Sequence, residues 1–516
     1  MPRTLLLGVR IFDAGSFAAG PGALEIEGSR ISWVGGADAA RERRPGATVL
    51  ELAGGVVTPA FVDAHVHATA AGLLADGLDL TRCGSARELL DAVAARAAAR
   101  PGALVWGHGW QDQDWPEGLP PRAALDRAAA GAPVYLSRID VHSALVSSAL
   151  LDRAPGVTGA AGWSLRALSG DAHHRARRAA LAAVDATTRD AAQAAFLADV
   201  AARGVAVVHE CAGPDISSAA DLAALRLRAG PEVVGYWGET VRTPGEAAEL
   251  LAATGARGLA GDLFVDGSLG SRTAALRAPY ADAPGCTGNR YLDAAAIGAH
   301  VTACTAAGTQ AGFHVIGDAA ADALLAGLEE AAAATSPSAV RAASHRVEHL
   351  EMVDPAQVRR LAELGVVASV QPLFDAYWGG PHGMYATRLG PARARGMNPF
   401  AGLHGAGVVL ALGSDAPVTP VDPWAAVRAA VEHRTPGSAL TAAGALAAHT
   451  VGGHRAAGDR SPLAGRLLPG AVASYAIWDG AGPVDGSAGD PRCLRLVHRG
   501  EVLHDVLRAT GSFARS

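Results

Sequence analysis

The stretch Thr58-Pro-Ala-Phe-Val-Asp-Ala-His-Val-His67 decides the reading of this chain. Its apolar residues make a short strand-like run, and the run ends in two histidines two positions apart. Side chains at i and i+2 of a strand share a face, so His65 and His67 can turn both imidazoles toward one cation. Asp63 falls on the same face, where a carboxylate that holds the ligands in place is expected rather than a further ligand.

Working outward, seven more strand candidates follow, at 204–210, 232–239, 262–267, 309–315, 344–350, 366–372 and 407–415. Helix-like segments separate most of them. In DPAQVRRLAELG, Asp354 suits the N-cap, Pro355 the first helical position and Gly365 the exit, while Val358, Leu361 and Leu364 are spaced to bury one face. Strands alternating with helices predict a parallel sheet. Eight such units predict an α/β fold, a TIM-like (β/α)₈ barrel over residues 58–463. Strand-like texture at both ends, in ALEIEG and RISWVGG and again in ASYAIWDG and LRLVHRGEVLHD, predicts a small β-sandwich built from 1–57 and 464–516. Residues 68–200 are too long for one crossover. They read as an insertion over the barrel mouth, with helices over 85–100 and 171–200 and a loop, WGHGWQDQDWPEGLPP, in the region that sets substrate choice in such folds.

The composition narrows the partners. Half of the 516 residues are hydrophobic and the net charge is −6, so no basic surplus points to nucleic acid. No run reaches the roughly 18 apolar residues of a membrane span, and the start lacks a cleavable leader pattern. Five cysteines (Cys83, Cys211, Cys286, Cys304, Cys493) show no paired spacing, which favours a reducing compartment. A cytoplasmic protein with a small-molecule partner is expected, self-association being left open.

Polar residues recur at the predicted strand ends: His65, His67, Glu210, His314, His349 and Asp415, with Asp262 opening the 262–267 run. In barrels of this kind the active site lies at the C-terminal strand ends. Imidazole and carboxylate donors suit zinc, and also manganese or iron. A hydrolytic metal lowers the pKa of a water it holds to about 7 and polarises a carbonyl. A lone histidine closing an apolar strand is most often structural. Four strand ends bearing His or Asp in order are a different matter.

TPAFVDAHVH, DGSLGSRTAAL (266–276), HVIGDAA (314–320), RVEHLE (346–351), VQP (370–372) and GSDAPV (413–418) together resemble the amidohydrolase superfamily, most closely its amidohydrolase-3 group of N-substituted formamide deformylase-like hydrolases. The resemblance runs over nearly the whole chain. It implies that His65 and His67 hold one metal and that His314 and His349 hold a second. It also implies that Asp415 binds the first metal and takes the proton of the attacking water, with His349 beside it in the catalytic group.

The chain departs from that pattern in one respect. Many relatives bridge two metals with a carboxylated lysine, and this sequence has no lysine at all, its 44 basic side chains being arginine. Asp262 aligns with the lysine, but it is short and opens the predicted strand. Glu210, longer and beside His65, is the better substitute, and its neighbour Cys211 is a weaker candidate. One metal or two both remain open. For substrate, Arg272 in the GSLGSR loop could bind a carboxylate, His142 and Trp110 could line the pocket, and Gln371 and Asp318 could orient bound groups or satisfy loop backbone. The expected reaction is hydrolysis of a non-peptide carbon–nitrogen bond in an N-formyl, N-acyl or cyclic amide. Deamination at one metal ranks second, because HVIGDAA lacks the glutamate expected soon after His314. A catalytically inactive binding scaffold is the third reading.

Overall fold

The computed structural model describes residues 2–13, 16–17, 20–484 and 489–507. Two groups of parallel strands form its centre. In the first, β1 (Phe61–Val66), β2 (Val205–Ala212) and β3 (Glu232–Trp237) pair in the order β1-β2-β3. In the second, β4 (Gly312–Val315), β5 (Arg346–His349), β6 (Val367–Val370) and β7 (Val409–Leu412) pair consecutively. Single parallel bridges join the groups: Tyr236 to Gly258, Leu259 to Ala311, and Val66 to Ala416. At the last junction the Asp415 N–H donates to His65 O (2.8 Å) and the His67 N–H donates to Ala416 O (2.9 Å).

These strands are buried on both faces, which is why their sequences are continuous apolar runs rather than alternating ones. Phe61, Phe313, Val347, Val370 and Leu412 share one core with helical residues such as Val200, Leu328, Leu361 and Val427. Burying each such side chain contributes about 1.5–3 kcal/mol. The helix Pro355–Glu363 forms as its sequence predicts, with Asp354 and Gln357 completing a reciprocal capping box.

The expected strand at 262–267 is interrupted. Instead of one continuous strand the chain makes single parallel bridges at Gly258, at Leu259 and, within the expected run, at Phe264, which pairs with His314 of β4; the rest of 262–267 is irregular and held by a side chain. The buried Asp266 carboxylate accepts the N–H groups of Ala275 (2.8 Å), Ile316 (3.0 Å) and Gly317 (2.8 Å). Asp262 therefore sits between the bridged residues Leu259 and Phe264 rather than opening a continuous strand.

The insertion also differs from expectation. Its first helix is Ala86–Ala99, but the second divides into Gly170–Ala182 and Ala186–Ala202, where the Asp185 side chain caps a new start by accepting from Thr188 N (2.8 Å). Much of the remainder is a five-stranded sheet of Leu78–Asp79, Val105–Trp110, Val134–Arg138, Ser143–Val146 and Ala167–Ser169. The Trp/Gly-rich stretch thus opens with a strand, not a loop.

Both chain ends enter one nine-stranded sheet, in which Tyr475–Trp478 pairs antiparallel with Val56–Pro59 just ahead of β1. Among the described residues no helix is long and apolar enough to cross a membrane.

Candidate metal centre

His65 and His67 close β1, His314 lies in β4, His349 ends β5, and Asp415 follows β7. The structure gathers all five with Asp262. Asp262 Oδ2 lies 3.1 Å from His67 Nε2, and its Oδ1 lies 3.5 Å from His65 Nε2 and 3.9 Å from His349 Nε2. Asp415 Oδ1 lies 3.4 Å from His65 Nε2 and 3.2 Å from His67 Nε2. Donor atoms within 4.8 Å of one another define the sets His65–His67–Asp262, His65–His349–Asp415 and Asp262–His314–His349. Asp262 is thus shared between the two histidine pairs.

Two of these residues carry unusual backbone. His349 has φ 72° and Asp415 has φ 56°. Non-glycine residues pay about 1–3 kcal/mol for such conformations, and they cluster at functional sites. At His349 the turn swings the ring toward Asp262, although Arg346 and Glu348 on the same strand already point inward.

The histidines are held from behind. His65 Nδ1 donates to Glu348 Oε2 (2.9 Å), and Glu348 is gripped by Arg346 through Nε (2.5 Å) and Nη2 (3.0 Å). Burial would raise the Glu348 pKa, but the Arg346 guanidinium holds it far below the usual range. A carboxylate fixed as an acceptor leaves His65 Nε2 with its lone pair facing the cluster. Gln371 does the same for His349, accepting from Nδ1 at 2.8 Å. Asp63, pushed up to about 6 by burial, accepts from the His65 N–H (3.2 Å) and the Ser414 N–H (2.9 Å), tying β1 to the loop of Asp415.

Burial opposes charge on the imidazoles, yet the carboxylates win at three of them, His65, His67 and His349. Hydrogen bonds and charge from Asp262 and Asp415 push His67 up to about 9, and Cys211, Asp262 and Asp415 raise His65. His314 is dominated by burial and falls to about 3.

The donor set fits a divalent cation by a direct test. His65 Nε2, Asp262 Oδ1 and Asp415 Oδ1, which face one another in the cluster, are all buried without a hydrogen-bond partner. Each such orphan costs about 1–3 kcal/mol, and a shared cation offsets that cost for the ring and carboxylate atoms facing the cluster.

Other expected residues are placed elsewhere. Glu210 joins none of the donor sets, because its Oε2 accepts the Ala68 N–H at 2.7 Å; burial pushes it up to about 7. Cys211 approaches His65 from the Nδ1 side at 3.5 Å, away from the cluster, and burial pushes its thiol up to about 12. Arg272 is 38% exposed and spent on Asp282, at 3.2 and 2.8 Å. Trp110 is buried in the insertion, its indole N–H donating to Leu136 O (2.8 Å). His142 does reach the centre, its ring centroid lying 5.1 Å from that of His314. Asp318 accepts the Arg277 N–H (2.8 Å), which is the loop-backbone part of its expectation.

His108 was passed over in favour of Trp110. Residues 108 and 110 would share a strand face, but Gly109 has φ 104° and the register shifts there. The kink sends Trp110 into the insertion core and His108 into the cavity above the centre, a space of about 1210 Å³ also lined by Ala416, Pro417, Val418, Trp378 and Met384. A histidine between two glycines at a strand end was the available signal.

Histidine pairs sharing a carboxylate at the ends of parallel strands define a metal-dependent hydrolase as the class of protein. The profile of the amidohydrolase family matches residues 48–504, and the chain belongs to that family. It is 29% identical over 483 residues to the protein LONG AFTER FAR-RED 3 of Arabidopsis thaliana, covering 84% of this chain and 80% of the relative. A shorter match, 31% identical over 149 residues, is to the N-substituted formamide deformylase of Arthrobacter pascens and covers 28% of this chain and 27% of that protein. Among solved structures, an uncharacterized metal-dependent hydrolase from Pyrococcus furiosus superposes with a TM-score of 0.70 at 25% identity, covering 93% of this chain and 99% of that one.

Proposed function

We propose that this protein hydrolyses a non-peptide carbon–nitrogen bond, in an N-formyl, N-acyl or cyclic amide, at a metal centre held by His65, His67, His314, His349, Asp262 and Asp415. On this reading the strands β1–β7 with the 258–259 segment make a (β/α)₈ barrel over 58–463. The terminal strands make a β-sandwich from 1–57 and 464–516, and the protein works in the cytoplasm. The observation that carries the proposal is the Asp262 carboxylate standing between both histidine pairs, with orphaned donor atoms around it.

Nitrogen and oxygen donors of this kind suit zinc. The metal, when bound, acidifies a water and polarises the scissile carbonyl. Asp415, buried and facing His65 and His67, takes the water proton on its carboxylate and passes it to the leaving nitrogen. His349, its Nδ1 steadied by Gln371, turns Nε2 toward Asp262 and would hold the metal there. His65 keeps its lone pair inward because Glu348 accepts its other N–H. The deaminase reading gains no support, since the acid that follows β4, Asp318, is committed to loop backbone. The resemblance to a formamide deformylase favours amides over esters.

The test is a screen of the metal-loaded protein over N-formyl, N-acyl and cyclic amides, with Asp415→Asn as the blank. Turnover of an amide should fall about 10²–10⁴-fold in the variant, while elemental analysis finds its metal largely retained. Full rate in the variant would remove Asp415 from the proton path.

A further inference from the structure

Arg177 lies on the insertion helix Gly170–Ala182 and is only 8% exposed. Its Nε and Nη2 are buried and have no hydrogen-bond partner. No carboxylate among the described residues pairs with it. The nearby Asp215 is spent on His174 (3.8 Å) and Arg178 (3.6 Å). Buried charges are ordinarily paired, because leaving one bare is costly.

The surroundings supply no anion. Burial first, and the charge of Arg177 after it, drive His173 and His174 to the neutral form. Tyr135 shares a 2.8 Å hydrogen bond with His173 and is pushed up to about 12 by burial, so it too stays neutral.

Position gives the bare guanidinium a use. Arg177 lines a cavity of about 30 Å³ together with His67, His108, Tyr135, Ser137 and Pro417. His108 and Pro417 also line the large outer cavity, so the space at Arg177 adjoins the one that leads to the centre from outside. The corresponding small cavity beside His314 and His349 has no arginine in its wall and contains Glu351. Of the two small cavities beside the centre, the one at Arg177 has an arginine in its wall and the other does not.

We propose that Arg177 is a specificity-determining residue that binds a carboxylate of the substrate, so that the amide hydrolysed here carries a carboxylate on the His67 side of its scissile bond. The planar fork of a guanidinium matches a carboxylate through two parallel hydrogen bonds. This assignment rests on the hydrolase reading for the word substrate, and on geometry alone for the anion site.

The experiment uses matched pairs, N-formyl and N-acetyl amino acids and their neutral primary amides, titrated calorimetrically into metal-loaded protein in the turnover-blocked Asp415→Asn background, with and without Arg177→Gln. Acids should bind at least tenfold more tightly than amides, and in the Arg177→Gln protein the two should agree within twofold. The melting temperature should hold or rise, because an uncompensated buried charge has been removed; a structural arginine would give a fall. Arg177→Lys, which keeps a cation but loses the fork, should retain a reduced preference. Equal binding of acid and amide overturns the proposal. So does a preference that survives Arg177→Gln, which would place the carboxylate on the metal, and so does failure of every acid to bind. Selective, Arg177-dependent binding of acids without turnover in the Asp415 protein would sink the hydrolysis reading and leave the anion site standing. Turnover of neutral amides without acid preference would do the reverse.

Discussion

The two sides of His67 are built on opposite charge plans. On the strand side four imidazoles meet two carboxylates, Asp262 and Asp415, that have no cationic side chain other than histidine beside them. On the insertion side His108, His142, His173 and His174 surround or approach Arg177, and the carboxylates there are engaged: Asp140 by Arg138 (3.1 Å), Ser268 (2.6 Å) and Ser271 (2.8 Å), and Asp215 by Arg178 (3.6 Å). All of these imidazoles are buried. Burial takes His108 to about 4 and, with neighbouring positive charge, holds His142 and His174 to about 3, whereas facing carboxylates lift His67 to about 9. A cluster of histidines is therefore not by itself a place for a cation. The unpaired carboxylates beside it make it one, and their absence makes the neighbouring pocket a place for an anion.

That contrast can be broken first at Asp262. Asp262→Ala should remove more than half of the bound metal and cost at least about 100-fold in activity, a loss beyond the 10–100-fold typical of groups that only orient ligands. Glu210→Gln should leave the metal content unchanged. Metal analysis of the two purified variants decides it, and equal losses would return Glu210 to the centre.

A smaller effect is expected at the seam between the two sides. Burial raises the Asp140 pKa, but the Arg138 charge and the serine hydrogen bonds outweigh it and bring it down to about 2. A folded pKa below the ordinary 3.8 means stability that is fully present above about pH 4 and lost as pH falls through 2. Asp140→Asn should cost about 1–3 kcal/mol near neutrality, and its melting temperature should converge on the parent's between pH 4 and pH 2. A gap that stays constant with pH would show that Asp140 acts through packing rather than charge.

The smallest effect belongs to Arg272, the arginine that the sequence offers as a carboxylate ligand. Its pair with Asp282 is partly exposed and worth about 0.2–1 kcal/mol. Arg272→Ala should leave the preference for acids over amides unchanged within twofold. A collapse of that preference would transfer the anion site to the GSLGSR loop.

Much of this was legible in order along the chain. His65-x-His67, His314, His349 and Asp415 were readable because strand ends and histidines coincide, and the capping box of Pro355–Glu363 is a local signal. What escaped reading depends on tertiary choices. Asp262 reads as the start of a strand because DLFVDG is largely apolar and short; Phe264 does pair with His314, but the grip of Asp266 on three distant N–H groups keeps the run from continuing as a regular strand. His108 and Trp110 exchanged places through one glycine kink. Arg177 sits in HHRARR between Arg175 and Arg178, which are exposed. Its only mark is that it shares a buried helical stripe with His173 and Ala180. Which arginine finds an aspartate and which is left bare is decided by packing between elements, and no local pattern encodes it.

The aspartate standing where relatives carry a modified lysine has a physiological consequence. A carbamate must be made after translation from dissolved carbon dioxide and can be lost again when the gas is scarce. A side chain encoded in the gene is complete when the ribosome releases it. If Asp262 holds the proposed metal, loading of the centre should be indifferent to bicarbonate in the medium.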